Sequence, residues 1–192
     1  MLANFRELGL HLHSDWLAGL EVVHDGPLTE DDVYFALMYS DLRESCIFPT
    51  DSPLRPEILQ NSTKLSHGSF LLQVTSSEDI SIPDAQRPRT TGTSETRMLK
   101  LSLNFGNGPS VTAVELERIP QIADCPDAGL KILILDEPMI VHGILFLKPG
   151  NVRIVGGDVT QLLDEQTRNN RARIMSREPL AYRRLVAGNQ SV

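Results

Sequence analysis

The sequence is poor in the features that mark secreted and membrane-spanning proteins. Its two cysteines, Cys46 and Cys125, lie far apart without a Cys-x-x-Cys motif, so we read them as free thiols in a reducing compartment. No window approaches the roughly 18 uninterrupted apolar residues that a bilayer span needs. The opening residues, 1–7, lack the basic region and apolar core of a signal peptide. We therefore expect a protein without a membrane role, located in the cytoplasm and the nucleus.

Catalytic and ligand-binding motifs are also missing. No Ser/His/Asp or Cys/His set has a recognisable nucleophile elbow, and the glycine-rich pieces 106–108 and 156–157 are not followed by the Lys-Ser/Thr of a phosphate loop. His11 and His13 with Asp15 resemble a metal-binding pair, but no further histidine or carboxylate cluster completes a site. The sequence therefore predicts neither an enzyme nor a bound metal or other cofactor.

Negative charge is in excess and unevenly distributed. The net charge is −7, with 4 basic and 11 acidic side chains in residues 1–67 but 6 basic and 3 acidic ones in residues 161–192. Because proteins hold a phosphate backbone mainly with Lys and Arg, the acidic body argues against tight autonomous binding to nucleic acid. The basic stretch Arg168–Arg184 favours such contact, although arginines on a terminal helix are more often simply solvated.

Residues 1–48 have the spacing of three short helices, the second of which starts with Ser14 as its N-cap. Thr29 with Asp32 resembles a capping box and starts the third helix. Three short helices bury little by themselves, so we expect this helical module to pack against the rest of the chain. Residues 49–67 are rich in Pro, Ser, Thr and Asn and predict an ordered connection instead of a helix or strand.

Residues 68–157 change to the period of two that is typical of β-strands. The clearest strand alternates apolar with polar residues from Leu99 to Phe105. Met139 to Leu147 predicts one strand with a bulge or sharp bend at Gly143. Such strands, with a helix after them, match a small Greek-key barrel of the OB type.

We therefore predict an α+β fold in which the helical module and the connection precede a five- to six-stranded OB barrel over residues 68–157. A C-terminal helix that starts after Asp158, and a tail, occupy residues 158–192. A polar, proline-containing loop, residues 79–97, is inserted between the first two strands, and we call it the arm. Because no catalytic residues accompany the barrel, the arm is the candidate functional part.

Several pieces of the chain resemble one known family, over about residues 14–165. The matching pieces are Asp41–Arg43 in the helical part, Arg97–Leu103, Val114–Glu115, Gly129–Ile132 and Gly143–Val152 in the strands, and the strand-to-helix ending Gly156–Val159, which is the most specific. They resemble the N-terminal OB-fold region shared by RecQ-mediated genome instability protein 1 and Tudor-domain-containing protein 3.

The resemblance implies a non-enzymatic adaptor in genome stability that binds a type IA topoisomerase of class III through its OB fold. In that family the loop between the first two strands reaches the topoisomerase gate and modulates strand passage on DNA or RNA, so nucleic acid is contacted mainly through the topoisomerase. The arm is short, as in the Tudor-domain branch, which implies topoisomerase IIIβ in preference to IIIα. The chain has no Tudor domain, so we expect it to be an N-terminal part of a longer protein.

The predicted partner contacts are the few apolar side chains of the polar arm. A partner that buries an isoleucine stabilises the complex by about 1.5–3 kcal/mol per side chain. The alternatives are that these side chains fold back onto the barrel or that the loop is disordered. A second apolar group after the third strand either adds to the contact or plugs the end of the barrel. The candidate residues are Ile80, Ile82, Pro83 and Pro88 in the arm and Ile119, Pro120 and Ile122 in the second group.

The main alternative is a stand-alone OB module that binds single-stranded nucleic acid. OB folds of that kind stack bases on exposed aromatic residues above a cationic groove. The aromatic residues of the barrel are Phe70, Phe105 and Phe146, and the first two lie on the apolar phase of their strands, so we expect little stacking. The candidate contacts are a weak basic strip of Arg118, Lys148 and Arg153, together with the basic stretch 168–184. A subunit of a different OB-fold complex is a third possibility.

Overall fold

The structure is a computed structural model that describes residues 5, 9–24, 27–65, 68–81, 97–123 and 126–177. Its helices are α1, Ser14–Val23; α2, Glu30–Tyr39; α3, Leu42–Ser45; α4, Pro56–Asn61; and α5, Thr160–Arg177. Its strands are β1, His11–Leu12; β2, Cys46–Ile47; β3, Phe70–Asp79; β4, Leu99–Asn104; β5, Val111–Glu115; β6, Lys131–Ile134; β7, Met139–Val141; β8, Ile144–Leu147; and β9, Val152–Gly156. Within these ranges, none of the helices is both long and apolar enough to cross a membrane.

Seven strands form one sheet in the order β7-β8-β5-β4-β3-β6-β9. Strand β3 is antiparallel to both β4 and β6, and β5 is parallel to β8. Strand β8 lies near one end of this order and β9 lies at the other end. Only residues 148–151 separate the two strands in the sequence, so this short connection links the two ends of the sheet. This connectivity is that of an OB barrel and confirms the predicted α+β class.

The segment predicted as a single bent strand, Met139–Leu147, is a hairpin of β7 and β8. His142 and Gly143 form its two-residue turn with φ angles of 50° and 77°, and Val141 pairs with Ile144. Two successive left-handed residues are what a type I′ turn requires. The bulge or bend expected at Gly143 is therefore wrong. The extra hairpin accounts for a seventh strand where five to six were predicted.

The alternation predicted for β4 is confirmed, because Leu99, Leu101 and Leu103 are buried and Lys100 is exposed. Strand β3 differs, since all of its residues from Phe70 to Val74 are buried. The helical module covers the side of this strand that would otherwise face solvent. A strand that is covered on both faces does not alternate between buried and exposed residues.

The helical module and the barrel share one core, as expected for short helices. Val33 and Leu37 of α2 belong to the same apolar cluster as Leu72 of β3 and Leu145 of β8. Of the first predicted helix, the structure describes Phe5, which is also buried in this cluster. Burying each such side chain contributes about 1.5–3 kcal/mol. The module is therefore an integral part of the fold.

A buried polar network joins the helical module to the barrel, and we call it the junction network. The Lys131 ammonium on β6 is fully buried and donates to the Ser40 carbonyl after α2 at 2.8 Å. The Gln73 side chain on β3 donates to Asp41 at 2.9 Å and accepts from the Leu42 amide at 3.1 Å. These bonds satisfy polar groups that would be costly to bury alone.

The electrostatics of the junction network follow from its burial. Burial lowers the pKa of Lys131 to about 8, while the negative charges of Asp41 and Asp158 limit the drop. Burial also opposes ionisation of Asp41, but hydrogen bonds from Arg43 and Gln73 outweigh it, so the pKa of Asp41 lies below its ordinary value. The network therefore holds one buried cation near a buried anion.

Gly157 lies in the connection between β9 and α5, where the backbone passes close to the end of α2. Its φ of 85° is left-handed, and a Cβ there would collide with the Met38 carbonyl oxygen at the end of α2. A residue other than glycine would be strained and would push α2 away from the barrel.

The structure corrects two expectations about the first 67 residues. The predicted connection 49–67 contains α4, which has Pro56 in its first turn and Leu59 buried. Helix α1 is capped by the side chain of His13, which accepts from the Asp15 amide, and not by Ser14. The capping box predicted at Thr29 is confirmed, with both of its reciprocal bonds to Asp32 present.

Candidate partner-binding site at the root of the arm

The arm leaves and re-enters the barrel at two adjacent strand ends, which we call the root. Strand β3 ends at Asp79 directly opposite Leu99, where β4 begins. One residue further out, the Ile80 amide donates to the Met98 carbonyl at 2.9 Å. The root is therefore a continuous piece of antiparallel sheet. The predicted contacts Ile82, Pro83 and Pro88 lie outside the described residues.

The Asp79 carboxylate ties the two sides of the root together. It accepts from the Ser81 amide at 2.9 Å, the Ser81 hydroxyl at 2.7 Å and, across the root, the Met98 amide at 3.2 Å. Burial opposes ionisation of Asp79, but these hydrogen bonds outweigh it and its pKa lies below the ordinary value. A carboxylate that bonds its own backbone two residues on forms a tight local turn. The first residues of the arm thus leave the sheet in a fixed direction.

A buried ion pair fixes the returning side of the arm. Arg97 and Glu115 of β5 are each 1% exposed, and their side chains meet at Nη2–Oε1 2.6 Å and Nε–Oε2 3.1 Å. Glu115 also accepts from the Leu99 amide at 3.2 Å. A bidentate pair of this kind sets the position of both side chains. The arm therefore returns to the barrel at a residue that is held inside the fold.

The same ion pair organises the segment that follows β5. Arg97 donates to the carbonyls of Ile122 at 2.9 Å and Ile119 at 3.2 Å, and Glu115 accepts from the Ile119 amide at 2.7 Å. Ile119 and Ile122 are buried in the core, whereas Pro120 is exposed. The prediction that the two isoleucines offer a second apolar contact is wrong, and they plug the end of the barrel instead. Their burial is possible because the ion pair satisfies their backbone groups.

Two apolar side chains remain exposed at the root itself. Ile80 is 40% exposed and Met98 is 39% exposed. The backbones of these two residues are joined by the Ile80–Met98 hydrogen bond. The polar arm therefore begins and ends beside apolar surface. Ile80 is the one predicted arm contact that the structure describes.

The predicted basic strip carries less free charge than the sequence suggests. Lys148 pairs with Glu117 at 2.9 Å, and both side chains are largely exposed. Arg118 and Arg153 are exposed as well. An exposed pair of this kind is screened and contributes little affinity for a phosphate backbone.

The aromatic residues of the barrel are poorly placed for stacking bases. Phe70 and Phe105 are buried and pack edge to face, with ring centroids 6.2 Å apart. This confirms that they belong to the core. Phe146 is half-buried. A single-strand-binding surface needs exposed rings above a cationic groove.

The His-x-His sequence, His11 and His13, gains no further metal-ligating side chains in the described part of the chain. His11 lies in β1, and the Nδ1 of His13 accepts from the Asp15 amide at the start of α1. No group of three or more His, Cys, Asp or Glu side chains that could hold a metal ion occurs among the described residues. His13 therefore has a structural role as a helix cap.

Arg97 and Glu115 were missed as functional residues, although the sequence contains a signal for one of them. Glu115 follows Val111 and Ala113 on the inward phase of β5, and all three are buried. A charged residue on an apolar phase requires a buried partner of opposite charge. The sequence alone does not identify that partner, because Arg97 comes from the far side of the arm.

Comparison with known proteins identifies relatives of this chain. The family described as RMI1, N-terminal OB-fold domain, matches residues 54–170. RecQ-mediated genome instability protein 1 of Xenopus laevis is 27% identical over 157 residues, which cover 70% of this chain and 27% of the relative. The protein of the same name from Mus musculus is 29% identical over 150 residues, covering 67% and 23%. The chain thus spans about a quarter of the length of these relatives.

Both relatives carry the name of the genome-instability branch. They give no support to the Tudor-domain branch that the length of the arm predicts. That assignment, and the preference for one topoisomerase that follows from it, stay predictions.

Proposed function

Because the chain belongs to the family of RMI1 N-terminal OB-fold domains, we propose that it is a non-enzymatic adaptor in genome maintenance. Its partner is a type IA topoisomerase of class III, bound as a heterodimer through the OB barrel and the arm. Nucleic acid, DNA or RNA, is reached mainly through the topoisomerase. The names of the relatives support a role in genome stability.

The construction of the root is the observation that carries this proposal. Asp79 and the Ile80–Met98 hydrogen bond fix the outgoing strand to the returning one, and the buried pair of Arg97 and Glu115 fixes the return. A loop that served only as a connection would not need a buried ion pair, because such a pair carries a large desolvation cost. The root is instead suited to presenting the inserted loop in a defined direction.

The arm acts on the topoisomerase by a population shift. A bound segment can bias a gate only if it contacts the open and closed states with different free energies. A rigid root makes this possible, because an arm that is free to swing would follow the gate and favour neither state. The adaptor therefore needs no catalytic group of its own to change the rate of strand passage.

The length of the arm favours topoisomerase IIIβ over IIIα as the partner. Residues 79–97 form a short insertion compared with that of the genome-instability branch, and a short insertion reaches less far into a gate. We expect the chain to bind topoisomerase IIIβ more tightly when the two purified enzymes are compared at the same salt concentration. Equal affinity, or a preference for IIIα, would remove this part of the proposal.

The proposal is tested by the double substitution Ile80→Asp and Ile82→Asp in the arm. We expect the dissociation constant for the topoisomerase, measured by biolayer interferometry, to rise by at least about tenfold, because two apolar contacts are replaced by charges. Ile80 is already 40% exposed, so the midpoint of thermal unfolding should change little. The matched control is Val22→Asp with Val23→Asp on α1, where both side chains are more than 80% exposed.

The control variant should bind as the unchanged chain does. Unaltered binding by the arm variant would show that the arm is not an anchor. Absence of binding by the unchanged chain to either topoisomerase would reject the proposed function as a whole.

A further inference from the structure

Helix α2 keeps its aromatic residues outside the core that the helical module shares with the barrel. Its buried side consists of Val33, Leu37 and Met38. On the other side, Phe35 is 66% exposed and Tyr39 is 53% exposed. Among the described residues, every exposed aromatic side chain belongs to this helix. The helix therefore has one face in the core and a second, aromatic face in solvent.

Phe35 and Tyr39 form one continuous aromatic surface. They are four residues apart, so their side chains are neighbours along the helix. The centroids of the two rings are 4.9 Å apart, and the ring planes make an angle of 51°. Contiguous apolar side chains that a protein leaves in water mark interaction sites, whereas scattered ones do not. The pair of rings is therefore a candidate contact for a partner.

Negative charge surrounds these rings. Asp31 lies one helical turn before Phe35, is exposed, and makes no side-chain hydrogen bond or ion pair with the described residues. Helix α1 carries two carboxylates and α2 three, and neither helix contains a lysine or an arginine. Arg43, the first basic residue after α2 in the sequence, is paired with Asp41 at 2.6 Å. We call Asp31, Phe35 and Tyr39 the acidic aromatic face.

This charge decides which partners the acidic aromatic face can accept. A nucleic acid or an anionic membrane is repelled, because both are negatively charged. A second copy of the same face brings like charges together, which is also unfavourable. Residues 1–67 contain 4 basic and 11 acidic side chains, so the repulsion comes from the helical module as a whole. A positively charged partner complements this surface.

Arginine fits both components of the acidic aromatic face. Its planar guanidinium stacks on aromatic rings and pairs with carboxylates. Phe35 lies one turn from Asp31 and one turn from Tyr39, so a single arginine side chain can reach a ring and the carboxylate together. A lysine ammonium is a compact, strongly hydrated charge without a plane to stack. The combination of groups therefore favours arginine over lysine.

We propose that the acidic aromatic face docks an arginine-containing segment of a second protein partner. This inference goes beyond the proposed function, because the site lies on the helical module and uses neither the arm nor the root. One arginine stacks on Phe35 and Tyr39 and pairs with Asp31, while the other carboxylates of α1 and α2 attract the remaining basic residues of the segment. The chain then holds one protein through the arm and another through α2.

The test measures fluorescence anisotropy of fluorescein-labelled nona-arginine with the full chain. We expect the double substitution Phe35→Ala and Tyr39→Ala to raise the dissociation constant at least about fivefold, because both rings that stack on guanidinium groups are lost. The substitution does not change the net charge, so general attraction of the peptide stays the same. The matched control is Val22→Ala with Val23→Ala, which removes exposed apolar side chains of α1 and should leave the dissociation constant unaltered.

Two further comparisons separate stacking from charge. The unchanged chain should bind nona-arginine more tightly than nona-lysine, and the Phe35/Tyr39 variant should lose this preference. Asp31→Asn should weaken binding more than Asp51→Asn, which removes the same charge from an exposed turn outside the face. If the double substitution lowers the midpoint of thermal unfolding, Phe35→Gln alone serves as a second variant.

Three results would overturn this inference. Equal binding of nona-arginine by the unchanged chain and by the Phe35/Tyr39 variant would remove the rings from the site. Equal affinity of the unchanged chain for nona-arginine and nona-lysine would reduce the contact to general charge attraction. A dimer of the unchanged chain that the Phe35/Tyr39 substitutions dissociate would assign the face to a second copy. These measurements contain no topoisomerase, so their outcome is separate from that of the arm variant.

Discussion

Buried polar groups hold together both the junction between the helical module and the barrel and the root of the arm. The two regions differ in what happens to the apolar side chains around these groups. At the junction, the buried Lys131 and Gln73 bind backbone and side-chain groups of the helices, and the apolar residues on both sides enter one core. At the root, the buried Arg97 and Glu115 hold the backbone of a loop, while Ile80 and Met98 stay exposed. A polar network thus closes a contact in one region and presents an open surface in the other.

Comparison of the two regions shows which apolar surface the chain covers by itself. At the junction, Val33, Leu37 and Leu42 of the helices are buried in one core with the barrel, although Phe35 and Tyr39 of α2 stay exposed. At the root, the Ile80 and Met98 side chains are left partly exposed while the buried Arg97 is paired with Glu115. We therefore expect the partner of the arm at the root, where apolar side chains flank the inserted loop.

The largest effect is expected from Arg97→Met, which leaves the Glu115 carboxylate buried without its partner. Removal of one member of a buried ion pair costs about 3–5 kcal/mol in the free energy of unfolding. Denaturation in urea, followed by circular dichroism, measures this loss. The control is Lys148→Met, which breaks an exposed pair worth about 0–1 kcal/mol. Equal losses in the two variants would mean that the root is not held by its ion pair.

A smaller effect is expected at the junction from Gly157→Ala. The new Cβ would meet the Met38 carbonyl oxygen at a left-handed φ of 85°. We expect a loss of about 1–3 kcal/mol in the free energy of unfolding, the usual range for a strained backbone position. Gly150→Ala is the matched control, because nothing lies within 4 Å of a Cβ at that position. If the control loses as much as Gly157→Ala, close approach of α2 is not the reason for the glycine.

The last effect concerns the pH dependence of stability that Lys131 contributes. Its folded pKa is about 8, against an ordinary value of 10.5, so between these values the unfolded chain binds more protons than the folded one. Stability contributed by Lys131 therefore rises with pH across this window. Urea denaturation at the two ends of the window should show the unchanged chain gaining stability relative to Lys131→Met. A difference that is constant or falls with pH would contradict the burial of a charged lysine.

Local patterns in the sequence were sufficient for much of the fold. The alternation from Leu99 to Phe105 predicted β4, and the Thr29–Asp32 capping box predicted the start of α2. Helix α4 was missed because its neighbours are rich in turn residues, although Pro56 in its first turn is a helix-start signal. The β7–β8 hairpin was missed because a His-Gly turn is not one of the common hairpin pairs.

The candidate site was less accessible from the sequence, because it depends on contacts between distant residues. Ile80 was identified from its apolar character within a polar loop. Arg97 and Glu115 are 18 residues apart and meet only after β4 and β5 have paired.

The role of the arm as an anchor is best examined by replacing residues 82–96 with a short Gly-Ser linker. The replacement retains Asp79, Ile80, Arg97 and Met98, so the root stays intact and the linker itself adds no contacts. Affinity for purified topoisomerase III is then measured together with the midpoint of thermal unfolding. We expect severely weakened binding with an unchanged midpoint. Topoisomerase binding as tight as that of the unchanged chain would contradict this expectation.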